Sequence, residues 1–276
     1  MWIGVPGSLR EIRDGARSFD RSPDLGITEF RSLSGGVTVW APRSAPRRLK
    51  MQWEAMQTPD VDYLDRLARR TDSRGPVAVL DPLSRNLLAP AQAAGRGKLS
   101  QWAPDAEIKL GLGIVGDDIP VVVEVTAAGD SVDLLWLHGQ FHGYPVAPGK
   151  VFTWWAPGLQ WAALSALRLY WYGAAKNLLS TTNHNTPGVP LVATAPAGAA
   201  YVRPGVRFSG VGTWTLGASV LAPGDISAEL LAGEPPAGEG SPAYAVTGYS
   251  HTATAGDGRY RDIGLELVEV VSGAAG

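Results

Sequence analysis

The chain has 276 residues, 45% of them hydrophobic and 18% charged, with a formal net charge of −2. A chain of this length can bury a substantial core, and its apolar content and small net charge exclude disorder as its main state. It contains no cysteine, which excludes disulfides, thiolate metal sites, iron–sulfur clusters and a cysteine nucleophile. The 34 glycines and 21 prolines punctuate short β-like segments, so the composition points to a turn-rich, mainly β protein. Charge is uneven: residues 1–100 hold 16 Lys+Arg against 11 Asp+Glu, whereas 101–276 hold 8 against 15, which suggests two units with different surfaces.

Met1-Trp2-Ile3-Gly4-Val5-Pro6-Gly7 has neither the basic region nor the apolar core of a secretory signal, so none is expected. Residues 27–33 and 37–40 flank Ser34-Gly35-Gly36 and read as a hairpin. Leu49, Met51 and Trp53 alternate with Lys50, Gln52 and Glu54, the period of a half-buried strand. Thr58-Pro59-Asp60 then combines an N-cap, an N1 proline and an early acid. Val61, Leu64, Leu67 and Ala68 follow at helical spacing, which predicts a helix near 59–71. Val77-Ala78-Val79-Leu80 reads as a short buried strand. Residues 89–98 are small, contain Pro and Gly and have no periodicity, so the expected division is 1–95 and 96–276 with a linker there.

Beyond residue 100 the pattern predicts strands near 106–112, 120–126, 131–137, 150–155, 164–172, 211–220, 243–250 and 261–271, the repetition expected of a sandwich or jelly roll. The apolar stretch 151–175 contains Pro157-Gly158, Gln160 and Arg168 and alternates in its second half. It reads as buried strand, and no membrane insertion is expected.

Chemical motifs are sparse. Gly111-Leu112-Gly113-Ile114-Val115-Gly116 matches a dinucleotide fingerprint, but Asp117-Asp118-Ile119-Pro120 puts carboxylates and a proline where a phosphate-binding helix should begin. His138 and His142 have metal-ligand spacing for a helix, yet the surrounding glycines and Pro145 favour a loop. His184 falls in a polar loop and His251 near the end of a late strand. No serine-hydrolase motif occurs and no carboxylate pair stands out, so no enzyme activity is expected. Asp257 and Asp262 lack the spacing of a calcium loop. No cofactor or metal is expected. The scattered arginines form no nucleic-acid motif.

Aromatic residues are the remaining signal. In the 164–172 strand, Leu167, Leu169 and Trp171 point one way, and Arg168, Tyr170 and Tyr172 the other. The first set reads as core. Packing is the default reading of the second set also, while an arginine with two tyrosines on one sheet face could grip and stack on a sugar. Trp154, Arg168, Tyr170, Tyr172 and Trp214 are the glycan-binding candidates.

The run Tyr144-Pro145-Val146-Ala147-Pro148-Gly149-Lys150-Val151-Phe152-Thr153-Trp154 resembles the Pro-Gly turn and aromatic strand of jelly-roll carbohydrate-binding modules. Leu167-Arg168-Leu169-Tyr170-Trp171-Tyr172, Leu178-Leu179-Ser180-Thr181 and 195–204 extend that likeness over some 130 residues. Phe30-Arg31-Ser32-Leu33-Ser34-Gly35-Gly36-Val37-Thr38-Val39, Leu49-Lys50-Met51-Gln52-Trp53, the 60–70 helix and Val79-Leu80-Asp81-Pro82 with Arg85-Asn86-Leu87-Leu88 resemble the N-terminal region of minor and distal tail proteins of long-tailed phages of actinobacteria. The resemblance implies a small N-terminal β domain with one helix, then a jelly roll, in a virion protein at the phage tail tip. It also implies self-association into a ring, a hexamer by family likeness. The implied partners are the tail tube, baseplate proteins and host cell-wall polysaccharide. A stand-alone carbohydrate-binding protein is the alternative, and a wall-degrading enzyme a third reading.

Overall fold

The computed structural model describes residues 1–13, 15–23, 27–40, 46–71, 75–81, 83–127, 129, 132–253 and 260–270. Asp257 of the calcium reading lies outside the described residues. The protein is mainly β, built from antiparallel sheets, and the described residues contain three α-helices, Thr58–Ala68, Pro90–Ala93 and Ser227–Ala232. None of these helices is long and apolar enough to cross a membrane.

Two compact units form, and they do not follow the order of the chain. A sandwich unit comprises residues 1–10 and 78–241, and a split unit comprises 11–77 and 242–276. This corrects the expected division at 95/96. The reason is strand pairing: Tyr260–Glu269 lies antiparallel to Arg47–Gln57, with Leu265 opposite Met51 and Leu267 opposite Leu49. The last segment therefore completes a sheet begun near the N-terminus. Recounted by unit, the charge asymmetry vanishes, since the split unit carries 14 Lys+Arg and 14 Asp+Glu and the sandwich unit 10 and 12.

In the split unit the strand order is Tyr244–Ala253, Tyr260–Glu269, Arg47–Gln57 and Ser18–Pro23. Leu49, Met51 and Trp53 are buried while Lys50, Gln52 and Glu54 are exposed, as their alternation predicts. The Thr58–Ala68 helix packs on this sheet through buried Val61 and Leu64. Its N-cap is extended Gln57, one residue before the expected Thr58. Ala55 interrupts the long strand with a left-handed φ of 52°, and its N–H donates to Asp262 Oδ1 at 3.0 Å. The predicted hairpin is present: Thr28–Arg31 pairs with Val37–Trp40 across a turn closed by Ser32 and Gly36.

The sandwich unit packs one broad sheet against a second layer. The broad sheet has the order Leu178–His184, Leu164–Gly173, Ala199–Phe208, Val132–Trp136 and Trp102–Pro104, with Tyr144–Pro145 also pairing with Ala199–Phe208. Facing it are two three-stranded sheets, one centred on Val151–Trp155 and the other on Val121–Val125. Trp136 and Trp154 meet edge to face at 5.0 Å, Phe152 meets Trp171 at 6.1 Å, and Phe208 stacks on Trp214 at 5.4 Å, joining the layers. The stretch 151–175 forms the strands Val151–Trp155 and Leu164–Gly173 rather than a helix. The dinucleotide-like glycines form a strand end and a turn, with Val115 bridged to Asp118, and no helix follows.

The expected linker is also corrected. Residues 90–93 form a short helix whose Gln92 is buried. Its Nε2 donates to the carbonyls of Gln101 (2.9 Å) and Leu137 (3.1 Å), and its Oε1 accepts the Tyr144 hydroxyl. At Gly95, φ is +70° and a Cβ would lie 2.4 Å from the Leu216 carbonyl, so glycine there serves close packing. Asn86 is wholly buried and saturated: Nδ2 donates to the carbonyls of Ser219 and Pro236, while Oδ1 accepts the Leu88 and Leu221 N–H groups. A buried amide with every bond made fixes the surrounding loops without a desolvation penalty left over.

Candidate functional site

The Leu164–Gly173 strand carries out the alternation read from its sequence. Leu167, Leu169 and Trp171 are fully buried, and Arg168, Tyr170 and Tyr172 lie partly exposed on the opposite face of the broad sheet. The neighbouring strand Ala199–Phe208 contributes Arg207 to that face, and Val132–Trp136 contributes Asp133. These three strands bring together four side chains from three separate segments of the chain.

Asp133 is the centre of the cluster. Its Oδ1 accepts Arg207 Nε at 2.8 Å, and its Oδ2 accepts Arg207 Nη2 at 3.0 Å, Arg168 Nη1 at 2.7 Å and the Tyr170 hydroxyl. Arg168 also donates through Nε to Asn183 Oδ1 at 2.8 Å and through Nη1 to the Tyr170 oxygen at 2.7 Å. Burial alone would raise the Asp133 carboxyl, but the bonds from Arg207 and Tyr170 and the charges of Arg168 and Arg207 outweigh it and hold it below the usual carboxylate range. Burial, then the adjacent carboxylate, pushes the Tyr170 phenol well above its ordinary value, so it stays a neutral donor. Asp105 caps the arrangement by accepting the Asp133 N–H at 2.7 Å.

Beside this cluster lies an open groove of about 730 Å³, lined by Ser165, Arg168, Asn183, Asn185, Arg207 and Ser209 together with Gly129 and Ala166. Its volume is in the range of small-ligand sites. Its walls offer guanidinium and amide N–H groups and hydroxyls, and none of the described lining residues is aromatic.

Of the five sequence candidates, Arg168 and Tyr170 belong to this cluster. Tyr172 is on the same face in a second group, where its ring lies 4.8 Å from that of His142 and under the Arg203 guanidinium at 5.0 Å. Arg203 donates to the His142 carbonyl at 2.6 Å and lies 2.9 Å from its Nδ1, so His142 Nδ1 accepts and Nε2 carries the proton. Trp154 is corrected: it is fully buried between the layers, with Nε1 donating to the Gly205 carbonyl at 2.9 Å, and an indole with no exposed face cannot stack on a sugar. Trp214 is half-buried in the second layer, where it stacks on Phe208, and it is not part of the groove lining.

Asp133, Asn183, Asn185 and Arg207 escaped the sequence reading. Strand parity in Val132-Asp133-Leu134 and Val206-Arg207-Phe208 does put both charges on the face opposite the core. Their pairing follows only from the strand order. His138 lies in a loop, as expected, but serves the fold: its Nδ1 accepts the N–H groups of Gln140 (3.0 Å) and Phe141 (2.9 Å), and Nε2 donates to the Ser241 carbonyl at 2.6 Å. His184 ends a strand rather than sitting in the expected loop, and His251 lies in the late strand Tyr244–Ala253. Among the described residues no group of three or more His, Asp or Glu side chains is placed to hold a metal ion.

Neither a protein-family model nor a curated protein sequence matches the chain.

Proposed function

We propose that the chain is a non-enzymatic structural protein of a long-tailed phage tail tip. In this reading the split unit docks to the tail tube or baseplate and joins a ring of copies. The sandwich unit presents its broad-sheet face to host cell-wall glycans. The phage assignment rests on the sequence resemblance, and the observation that carries the assembly role is the hairpin of the split unit. All eight residues of Thr28–Arg31 and Val37–Trp40 are exposed, and Phe30, Val37, Val39 and Trp40 are each more than half accessible.

Pairing puts Phe30 and Trp40 on one face of this ribbon and Val37 and Val39 on the other. A two-stranded ribbon is marginal alone in water, and open strand edges with apolar faces invite another chain. A ring, in which each copy meets two neighbours through unlike surfaces, would cover both faces. Many weak glycan contacts held in one ring would then add up to firm attachment.

The test is the mass of the purified chain by light scattering, with negative-stain images of the same peak and of a mixture with the tail-tube protein. Closed rings of copies, alone or on the tube, support the reading. A monomer that also fails to join the tube would overturn it. The groove favours a second reading, a stand-alone carbohydrate-binding protein, in which the monomer alone is retarded on cell-wall polysaccharide in affinity electrophoresis.

A further inference from the structure

The groove beside Asp133 carries information about its ligand. Two guanidinium groups meet at one carboxylate, and both are fixed from behind by it. Arg168 uses Nε on Asn183 and Nη1 on Asp133 and Tyr170; Arg207 uses Nε and Nη2 on Asp133. Arg168 Nη2 and Arg207 Nη1 therefore have no acceptor among the described residues, and both arginines line the groove. Asp105 is engaged on the Asp133 backbone, and among the described residues the lining holds no carboxylate.

Guanidinium N–H groups are strong charge-assisted donors to carboxylates and phosphates, and side chains already held in place lose little freedom on binding. Among the described residues the lining holds no aromatic ring to serve as a platform for the face of a neutral pyranose. Asn185, Ser165 and Ser209 surround the arginines with groups suited to sugar hydroxyls.

We propose that this groove recognises an oxyanion carried on a saccharide, with Arg168 and Arg207 gripping the anion and the amides and hydroxyls of the rim gripping the sugar. This rests on the reading of the broad-sheet face as a glycan-contacting surface and gives that surface a chemical class. The oxyanion could be the carboxylate of a uronic acid or the phosphate of a phosphorylated glycan, which share this chemistry.

The experiment is a calorimetric titration of the full chain at low and moderate salt with trigalacturonate, its methyl ester, glucose 6-phosphate and inorganic phosphate. Replacing either arginine would strand Asp133, so the variants are placed at the exposed rim, as Asn185→Asp and Asn185→Lys, with melting temperature checked for each. One of the two anionic saccharides is expected to bind, more weakly as salt rises, and which one binds identifies the oxyanion. Affinity should fall about tenfold in Asn185→Asp and rise in Asn185→Lys, because a neighbouring charge acts with opposite sign in the two variants.

Equal affinity for trigalacturonate and its ester, with no response to either variant, would overturn the proposal while leaving a neutral-glycan surface intact. Inorganic phosphate binding as tightly as the saccharides would reduce the site to a simple anion site and would also overturn it. Failure of all four ligands would overturn it too, and retardation on whole wall polysaccharide would then show whether the glycan reading fails with it.

Discussion

The two units differ in how their buried tryptophans are satisfied and in where their exposed apolar side chains stand. In the sandwich unit the central tryptophans are sealed between layers and their indole N–H groups are satisfied: Trp136 by Ser219, Trp154 by Gly205 and Trp171 by Thr182. Trp102, on the edge strand of the broad sheet, is the exception, buried with its Nε1 unpartnered. In the split unit Trp53 is equally buried with no partner for its N–H among the described residues, and Trp40 stands in the open hairpin with Phe30. The sandwich unit also leaves Trp161 83% exposed, so what sets the split unit apart is that Phe30, Val37, Val39 and Trp40 stand together on one ribbon, an arrangement that suits the proposed docking role.

The sharpest way to break this comparison is to open the sandwich. Trp154→Ala removes a wholly buried indole and its hydrogen bond, and denaturant unfolding followed by fluorescence should register a loss of about 3–5 kcal/mol. A loss under 1 kcal/mol would mean that the two layers are not held together through this contact.

Acid tests the same unit by another route. Burial, partly opposed by the Ser241 hydrogen bond, pushes His138 down to about 4. Its pKa is lower in the folded state than in the unfolded one, so below the ordinary value the unfolded chain binds more protons. Stability is complete above pH 6.5 and declines as pH falls toward 4, by roughly 3 kcal/mol in total. Melting temperatures across that window should fall for the native protein and stay flatter for His138→Ala, which starts from a lower value. Parallel curves would remove His138 as the cause. Asp133 adds its own loss at lower pH, since its carboxyl is depressed and its contribution disappears as pH falls through the folded value.

Smaller effects sharpen the picture of the split unit. Ala55 holds a left-handed backbone in an exposed position, a conformation that glycine adopts without the Cβ clash. Ala55→Gly should therefore raise stability by up to about 1 kcal/mol, although glycine in an ordinary strand is destabilising by a similar amount. A decrease on thermal unfolding would show that this bulge is not strained. The smallest effect on stability is expected at the hairpin: Phe30→Ser with Trp40→Ser should change it by no more than about 0.5 kcal/mol. The same pair should abolish ring formation. Loss of folding together with assembly would contradict the open ribbon.

The elements legible from sequence are those held by local signals. The 28–40 hairpin follows from its Ser-Gly-Gly turn, the 47–57 strand from strict alternation, and the 58–68 helix from Pro59, Asp60 and the spacing of Val61 and Leu64. Arg168 and Tyr170 were placed on the face opposite the core by the same parity. Residues 89–98 misled because Gln92 reads as a solvent-facing amide in a featureless stretch, and only its partners Gln101, Leu137 and Tyr144 make burial affordable. Trp154 misled because an aromatic residue in a strand looks the same whether its face meets solvent or a second sheet.

The sequence by itself determined the mainly β class, the two-residue period of the long strands, the position of the main helix, and the direction in which Arg168 and Tyr170 point. These depend on neighbours a few residues apart. Only the tertiary structure decided that Tyr260–Glu269 returns to the strand at 47–57, that the charge imbalance between the halves of the chain belongs to neither unit, and that Asp133 sits between Arg168 and Arg207. Those outcomes depend on which strands become neighbours, which is set by the burial of whole sheet faces rather than by local periodicity.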